Sequence, residues 1–364
     1  MARALTTPGP LEREVLAVLS TVRQVDPTAT ARAWERLDAL TKPPRSLGRL
    51  EEIAARISTV QDDVRPSGAP AAVALFAGDH GVTAEGVSPW HAEVTWQMVA
   101  NFSAGGAAVN QLAAHVGARL VVGDVGVLTE TAMLPGVLQM NVRRGTDNIA
   151  EGPAMTREEA AAAIAVGVNV ARELAADGVV IVGAGEMGIG NTTSASALTA
   201  ALTGVSPAAV VGRGAGLDHA GVAHKAHVVS RALEANPVRA DDPLGTLAAL
   251  GGLEIAAMAG VVIGASAAGI CVVADGYISG VAALLALRMC PACAGYLFPS
   301  HLSAEPGHTL VLRALDLSPV LDLDMRLGEG TGAALAIGIM GAACRMMSGM
   351  ATFAEAGVSG REDT

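Results

Sequence analysis

The stretch G-A-G-E-M-G-I-G-N-T-T at residues 183–193 constrains this chain most. An apolar run, 178–182, precedes it, and a helix-like stretch, 194–202, follows. Strand, glycine-rich turn and helix is a geometry that holds a phosphate. Glycines let backbone N–H groups approach closely, and the helix N-terminus adds partial positive charge. One carboxylate, Glu186, interrupts the turn. An acid repels a phosphate, so Glu186 is expected to serve another part of the ligand, the sugar or base of a nucleotide. The same letters spell G-x-G-x-x-G at Gly183, Gly185 and Gly188, so an NAD-binding oxidoreductase is the competing reading. That fingerprint asks for an acid about 20 residues further on, to hold the ribose 2′-hydroxyl. No Asp or Glu lies between Glu186 and Asp218, and no Lys follows the glycines as in a kinase-type P-loop.

The chain has 364 residues, 51% of them apolar, enough for one large domain or a large and a small one. Aromatics are only 2% against 43 Gly, so the core is expected to be Ala, Val, Leu and Ile with close backbone approaches. A formal charge of -11 argues against nucleic acid and anionic membrane as partners. Aromatic platforms for single strands are missing too. Cys290-Pro-Ala-Cys293 lacks the second pair that a structural zinc site uses. Cys271, Cys290, Cys293 and Cys344 therefore read as buried reduced thiols of a cytoplasmic protein. The first eight residues lack the apolar core of a signal peptide. Residues 255–274 carry no charge over twenty positions, long enough to span a bilayer. They are mostly Ala and Gly, and Gly264 and Gly269 are expected to break the run into a buried helix and a buried strand.

Apolar, β-branched runs recur, each closed by a polar or glycine-rich turn: 71–77, 119–122, 179–182, 270–274 and 295–298. Ala-rich helical stretches separate them. This alternation predicts an α/β fold, with a large domain holding a mostly parallel sheet flanked by helices. Ligands of such sheets bind beyond the carboxyl ends of the strands. The polar residues after each run, Asp79, His80, Asp124, Asp275, Ser300 and His301 among them, are expected to converge on one cleft. The leader differs. Residues 11–25, 28–40 and 46–60 are helix candidates, the last with Ser46 as N-cap. The expected division is a helical segment 1–65 contributing to a small domain, an α/β nucleotide-binding domain 66–330, and C-terminal helices 331–364 partly in the small domain. Residues 359–364 are expected to fray.

Three constellations carry chemistry. In the run 86–102, Val94, Met98 and Phe102 share one helical face, with Gln97 and Asn101 on a more polar one. Either this is a capped surface helix, or Ser88 and Gln97 line a flat apolar pocket. Asp79 and His80 before it serve chemistry or hold a loop. Next come Arg213, Asp218, His219, His224, Lys225 and His227. Their spacing is not the His pair with a nearby acid of a catalytic zinc site, so a cationic patch facing a phosphate or carboxylate fits better, with Lys225 its point charge. The third is L-D-L-D-M-R-L-G-E-G-T-G at 321–332, before an apolar helix. Glu329, a lone acid between two glycines, should have a raised pKa and is a candidate general base. Asp322 and Asp324 read as structural. Asp241-Asp242 precedes a proline and suits a turn or helix start, not a magnesium–pyrophosphate site.

Several of these motifs resemble one family, the nicotinate-nucleotide–dimethylbenzimidazole phosphoribosyltransferases. They are G-E-M-G-I-G-N-T-T (185–193), F-A-G-D-H-G-V (76–82), G-R-G-A-G-L-D (212–218), K-P-P-x-S-L-G-x-L-E (42–51), D-G-Y-I-S (275–279) and L-G-E-G-T-G-A (327–333). They run from about residue 40 to 340, in the expected order. The resemblance implies phosphoribosyl transfer from nicotinate mononucleotide to 5,6-dimethylbenzimidazole, giving nicotinate and α-ribazole 5′-phosphate. It also implies a large α/β domain plus a small helical one and a homodimer; no cofactor is expected, and with no adjacent acid pair after an apolar strand no required metal is expected either. By motif, Glu329 matches the catalytic base. Glu186, Met187, Gly188, Ile189, Gly190 and Asn191 match the nucleotide site, with residues 188–191 around the phosphate. Lys225 matches a lysine near the nucleotide, and Asp275 and Ser303 match contacts to ribose and phosphate. Ser88, Gln97, Met98 and Leu327 match the surroundings of the benzimidazole. A third reading, a nucleotide sensor without catalysis, would leave Glu329 without a task.

Overall fold

Six apolar stretches form one all-parallel sheet in the order β3-β2-β1-β4-β5-β6. They are β1 (Ala71–Gly78), β2 (Arg119–Gly126), β3 (Val137–Gln139), β4 (Ile181–Met187), β5 (Cys271–Ala274) and β6 (Leu297–Pro299). The computed structural model describes residues 8–239 and 241–359; the rest, including the end expected to fray past residue 359, lies outside the described residues. β1 and β4 lie side by side at the centre and are buried along their whole length. Strands covered on both faces read as unbroken apolar runs, which is why five of the six were visible as such. β3 is only three residues long at the sheet edge and left no such trace.

Helices cover both faces. In chain order they are α1 (Pro10–Leu19), α2 (Pro27–Ala39), α3 (Arg49–Gln61), α4 (Glu93–Ser103), α5 (Ala108–Val116), α6 (Arg157–Ala176), α7 (Asn191–Thr203) and α8 (Pro207–Val210). There follow α9 (His219–Ala235), α10 (Pro243–Leu250), α11 (Leu253–Ala268), α12 (Tyr277–Met289), α13 (Pro306–Leu315), α14 (Thr331–Gly349) and α15 (Phe353–Ala356). Successive β1 side chains alternate between two cores, as a strand's period of two requires. Ala72, Ala74 and Phe76 join the core built on α1, α6, α11 and α12, while Val73, Leu75 and Ala77 join the core built on α2, α3, α5 and α14.

The first core is held together by missing side chains. A Cβ on Gly167 of α6 would collide with the carbonyl oxygen of Ala257, and one on Gly260 of α11 with that of Ile164. The two helices therefore meet backbone to backbone. Gly264 does not break α11, as the sequence suggested. A Cβ there would sit 2.8 Å from Val168 Cα, so Gly264 extends the same close contact. Gly269 does end the helix, at φ 74°. A buried helix followed by buried β5 is thus the fate of the uncharged run. α14 is long and apolar enough by itself to cross a bilayer, yet half of that span is buried, against β4, α3 and α5.

The leader differs in detail from its expected form. α1 stops at Leu19, short of residue 25, and α2 begins only at Pro27, after the capping Asp26, whose side chain accepts from Thr28 N. Ser46 does not cap α3. Gly48, at φ 54°, leads into it, and Glu51 reaches back to accept from Leu47 N at 2.9 Å and from Lys42 Nζ at 2.7 Å.

Candidate active site

β4 runs on to Met187, so Gly183 and Gly185 lie in a strand and not in a phosphate-binding turn. Their role is close approach to the protein itself. A Cβ on Gly183 would stand 2.9 Å from Ala333 Cβ, and one on Gly185 would stand 2.8 Å from Gly330 N and 2.9 Å from Glu329 C. The first turn of α14 thus rests directly on β4. This removes the dinucleotide reading, since the first two glycines of that fingerprint face a helix and not a pyrophosphate. The turn itself is residues 188–190. Gly190, at φ 94°, starts α7 and supplies no side-chain cap; Ile189 N–H donates to Thr95 Oγ1, Asn191 N–H to Gly188 O and Thr193 N–H to Gly190 O, so among the described residues Gly190 N–H and Thr192 N–H are the ones left without a partner at that helix end.

A cavity of about 490 Å³ opens at the carboxyl ends of β4, β5 and β6. Glu186, Met187, Gly188, Ile189, Gly190 and Asn191 form one wall. Asp275, Ser303 and Glu329 form another, and Ser88, Met98 and Leu327 lie on the apolar side with Val87, Trp90 and Val94. Two expected residues are elsewhere. Gln97 is exposed on α4 and does not line the cavity; Met98, one position on, turns inward. Lys225 is buried on α9 behind the wall, where its Nζ donates to Thr192 Oγ1 at 2.7 Å, and Thr192 lines the cavity. Burial lowers Lys225 to about 8, opposed by the charge of Glu305.

Four acids meet here. Glu329 stands at φ 63° between Gly328 (83°) and Gly330 (82°), a left-handed run that turns its side chain into the cavity. It is buried, its Oε2 has no hydrogen-bond partner, and burial pushes its pKa up to about 7. Glu186 is pushed further, to about 8, by burial and by the neighbouring acids, although the Asn191 amide donates to it. At neutral pH Glu186 is therefore largely protonated, and the repulsion expected between it and a phosphate falls away. Asp275 accepts from Gly330 N at 3.3 Å and Ala333 N at 2.8 Å, so it caps α14. Burial nevertheless raises it to about 7. Glu305 accepts from Gly214 N at 2.8 Å. Ser303 donates its N–H to His308 Nδ1 at 2.9 Å, and its hydroxyl accepts from Glu305 N at 3.3 Å.

With this geometry in hand, the comparisons with known proteins decide the family. The family model described as Phosphoribosyltransferase matches residues 22–358. A relative from Geobacter metallireducens named nicotinate-nucleotide–dimethylbenzimidazole phosphoribosyltransferase is 49% identical over 95% of this chain and 98% of its own. One of the same name from Solidesulfovibrio magneticus is 50% identical over 96% and 99%. The crystal structure of CobT from Thermus thermophilus superposes with a TM-score of 0.88 at 50% identity, covering 92% of this chain and 99% of that one. The chain belongs to the nicotinate-nucleotide–dimethylbenzimidazole phosphoribosyltransferase family.

In this phosphoribosyltransferase not every strand end feeds the cavity. Asp124, near the end of β2, accepts from Gly126 N, Val127 N, Thr131 Oγ1 and Asn141 Nδ2, which saturates it in holding the loop that follows. Asp79 accepts from Leu128 N at 2.8 Å. His80 bridges Ser194 Oγ at 3.0 Å and Glu254 Oε1 at 2.7 Å, deep in the core. Both hold loops rather than face the cavity. His219, His224 and His227 are exposed on α9, and among the described residues no three His, Cys, Asp or Glu stand close enough to hold a metal ion. Thr192, within the turn that the resemblance put on the nucleotide site, lines the cavity, while sequence reasoning gave no role to Trp90, Glu305 and Arg326, which line it too. Trp90 is 55% exposed at its mouth, its Nε1–H donating to Ala215 O at 3.1 Å. Glu305 carried one legible sign, its place just before Pro306 at the start of α13.

Proposed function

We propose that this enzyme transfers the phosphoribosyl group of nicotinate mononucleotide to 5,6-dimethylbenzimidazole, with Glu329 as general base. The observation that carries the reading is the environment of Glu329: a buried carboxylate with a free oxygen and a pKa near 7, in a cavity with an apolar side. The names of the relatives supply the substrates.

The chemistry gives each group a task. Nicotinate leaves from a pyridinium, so its ring nitrogen takes the bonding pair and departs neutral, without an acid or a metal. One benzimidazole nitrogen attacks C1′ from the opposite face, inverting that carbon to the α configuration. The other nitrogen then carries a proton it must lose, and Glu329 accepts it. A base of pKa near 7 is matched to that transfer at neutral pH. On this reading the phosphate sits at residues 188–191, where Gly190 N–H and Thr192 N–H are left for it at the start of α7, with Lys225 behind Thr192 as a buried positive charge. Met98, Val94 and Leu327 offer the apolar wall for the acceptor ring. The same reading makes the protein a cytoplasmic homodimer without a resident metal or cofactor.

The test is incubation with nicotinate mononucleotide and dimethylbenzimidazole, with products separated by chromatography. Equal amounts of nicotinate and α-ribazole 5′-phosphate are expected. Glu329→Gln should lower kcat by about 10²–10⁴-fold while binding nicotinate mononucleotide within about threefold of wild type in calorimetry, since a lost base alters turnover and not ground-state binding. Wild-type turnover in that variant would remove Glu329 from the mechanism.

A further inference from the structure

The turn at residues 188–190 and the start of α7 carry no side-chain cap of their own, so their position must be set from outside. Behind them lies a chain of three buried polar side chains that the reaction does not use: Ser194, His80 and Glu254. Ser194 belongs to the first turn of α7, His80 follows the end of β1, and Glu254 belongs to the first turn of α11.

We propose that His80 is a positioning residue for the phosphate end of the donor: braced by Glu254, it fixes the 188–190 turn and the first turn of α7, and so sets where Gly190 N–H and Thr192 N–H stand. The inference rests on the function proposed above and names what keeps its anion-binding groups in place.

The contacts make His80 a support for this turn in particular. A Cβ on Gly190 would stand 3.3 Å from His80 Cβ, and one on Gly188 would stand 3.4 Å from His80 Cδ2, so the turn lies along the histidine side chain. Gly252, the N-cap of α11, closes the other side, where a Cβ would collide with His80 Cε1. The ring is thus gripped between the turn and the start of α11. Its two nitrogens are both used, Nε2 with Glu254 Oε1 at 2.7 Å and Nδ1 with Ser194 Oγ at 3.0 Å. A carboxylate only accepts, so Nε2–H donates to it, and in the neutral ring Nδ1 accepts from the Ser194 hydroxyl. Glu254 therefore fixes the orientation of the ring, and the ring fixes α7.

Two other ties hold single points of the same segment. Thr95 Oγ1 accepts from Ile189 N–H at 3.1 Å, and Lys225 Nζ donates to Thr192 Oγ1 at 2.7 Å. His80 meets the turn through Gly188 and Gly190 and the helix through Ser194, so it sets the two against each other. It does not line the cavity and acts only through that backbone. A hydrogen bond weakens steeply as its donor turns away from the acceptor. Releasing the brace should therefore weaken the grip on phosphate and leave the apolar wall around Met98 and Leu327 as it is.

The experiment titrates nicotinate mononucleotide and its phosphate-free counterpart, nicotinate riboside, by calorimetry without acceptor. The proteins are wild type, Ser194→Ala, Glu254→Ala and Glu254→Gln. The two alanine variants cut the chain on either side of His80 without emptying the space of its ring, which His80→Ala would do. In both, the ratio of mononucleotide to riboside affinity should shrink about tenfold or more, while riboside affinity stays within about twofold of wild type. Glu254→Gln keeps an oxygen for Nε2–H and should restore most of the ratio. General damage to the fold would weaken both ligands alike. Hydrogen exchange over residues 188–196, measured without ligand, should quicken about tenfold or more in the same two alanine variants. That readout needs no substrate. A wild type that binds neither ligand would defeat the function proposed above, and the exchange would still decide the support. An unchanged affinity ratio, a parallel loss of both ligands, or unchanged exchange in Ser194→Ala and Glu254→Ala would overturn the assignment.

Discussion

The chemistry of single residues here depends on how much water they have lost. Glu329 was legible in the sequence because an isolated acid between glycines is an unusual use of backbone freedom. Its pKa near 7 was legible only in direction, since the side chains that dry it come from distant segments. Gln97 and Met98 show the opposite limit. Helical spacing ranks positions around an axis, but which of two adjacent side chains meets the cavity depends on how α4 lies on the sheet. Glu329 must be ionised to act as a base, so log kcat should rise by about one per pH unit up to about 7 and then level. A limb midpoint near 4.5, the ordinary value, would mean that the carboxylate is hydrated in the working enzyme.

Among the elements, β4 and α14 teach most. The strand-like runs were readable from apolar, β-branched stretches, and so were most helices. The end of β4 was not, because glycines that admit a ligand and glycines that admit another part of the chain look alike in a sequence. At Gly185 the second use holds: β4 carries the start of α14 at van der Waals distance or less. Gly185→Ala would press a Cβ within 2.8 Å of Gly330 N, and the loop carrying Glu329 must shift. The expected cost is about 1–3 kcal/mol of stability. Activity should drop by at least about tenfold, since small misplacements of a catalytic group slow the reaction steeply. Urea unfolding together with kcat reads both. A variant that loses stability but keeps its kcat would show that the loop absorbs the strain without moving Glu329.

Across the whole molecule, the cavity concentrates buried acid. Glu186, Asp275 and Glu329 all have folded-state values above their ordinary ones, at about 8, 7 and 7. For such groups the protonated form favours the fold. Their stabilising contribution is complete below the ordinary carboxylate range and is lost as pH climbs through 7 to 8. The ligand-free protein should therefore melt several degrees lower at pH 8.5 than at pH 5.5, at about 2–4 °C per kcal/mol for a large domain. Glu186→Gln should flatten that slope. A melting temperature that rises over this interval would show the acids to be hydrated or paired. None of this long-range coupling could be read from the sequence, where the three acids lie 54 and 89 positions apart (329 − 275 and 275 − 186).

The two helix starts at the cavity differ in one respect that sets a direction. Asp275 already occupies N–H groups at the start of α14, while the N-cap of α7, Gly190, brings no capping side chain. Acids line both ends of the cavity, with Glu186 beside Asn191 and Asp275 over α14, so what distinguishes the two ends is the uncapped start of α7 with Lys225 behind it. On the function proposed above, a mononucleotide would seat with its phosphate toward α7. That docking would outlast the reaction: the sugar phosphate stays moored while one ring leaves and another arrives from the opposite face, so the nucleotide's two halves part company without its anchor ever being released.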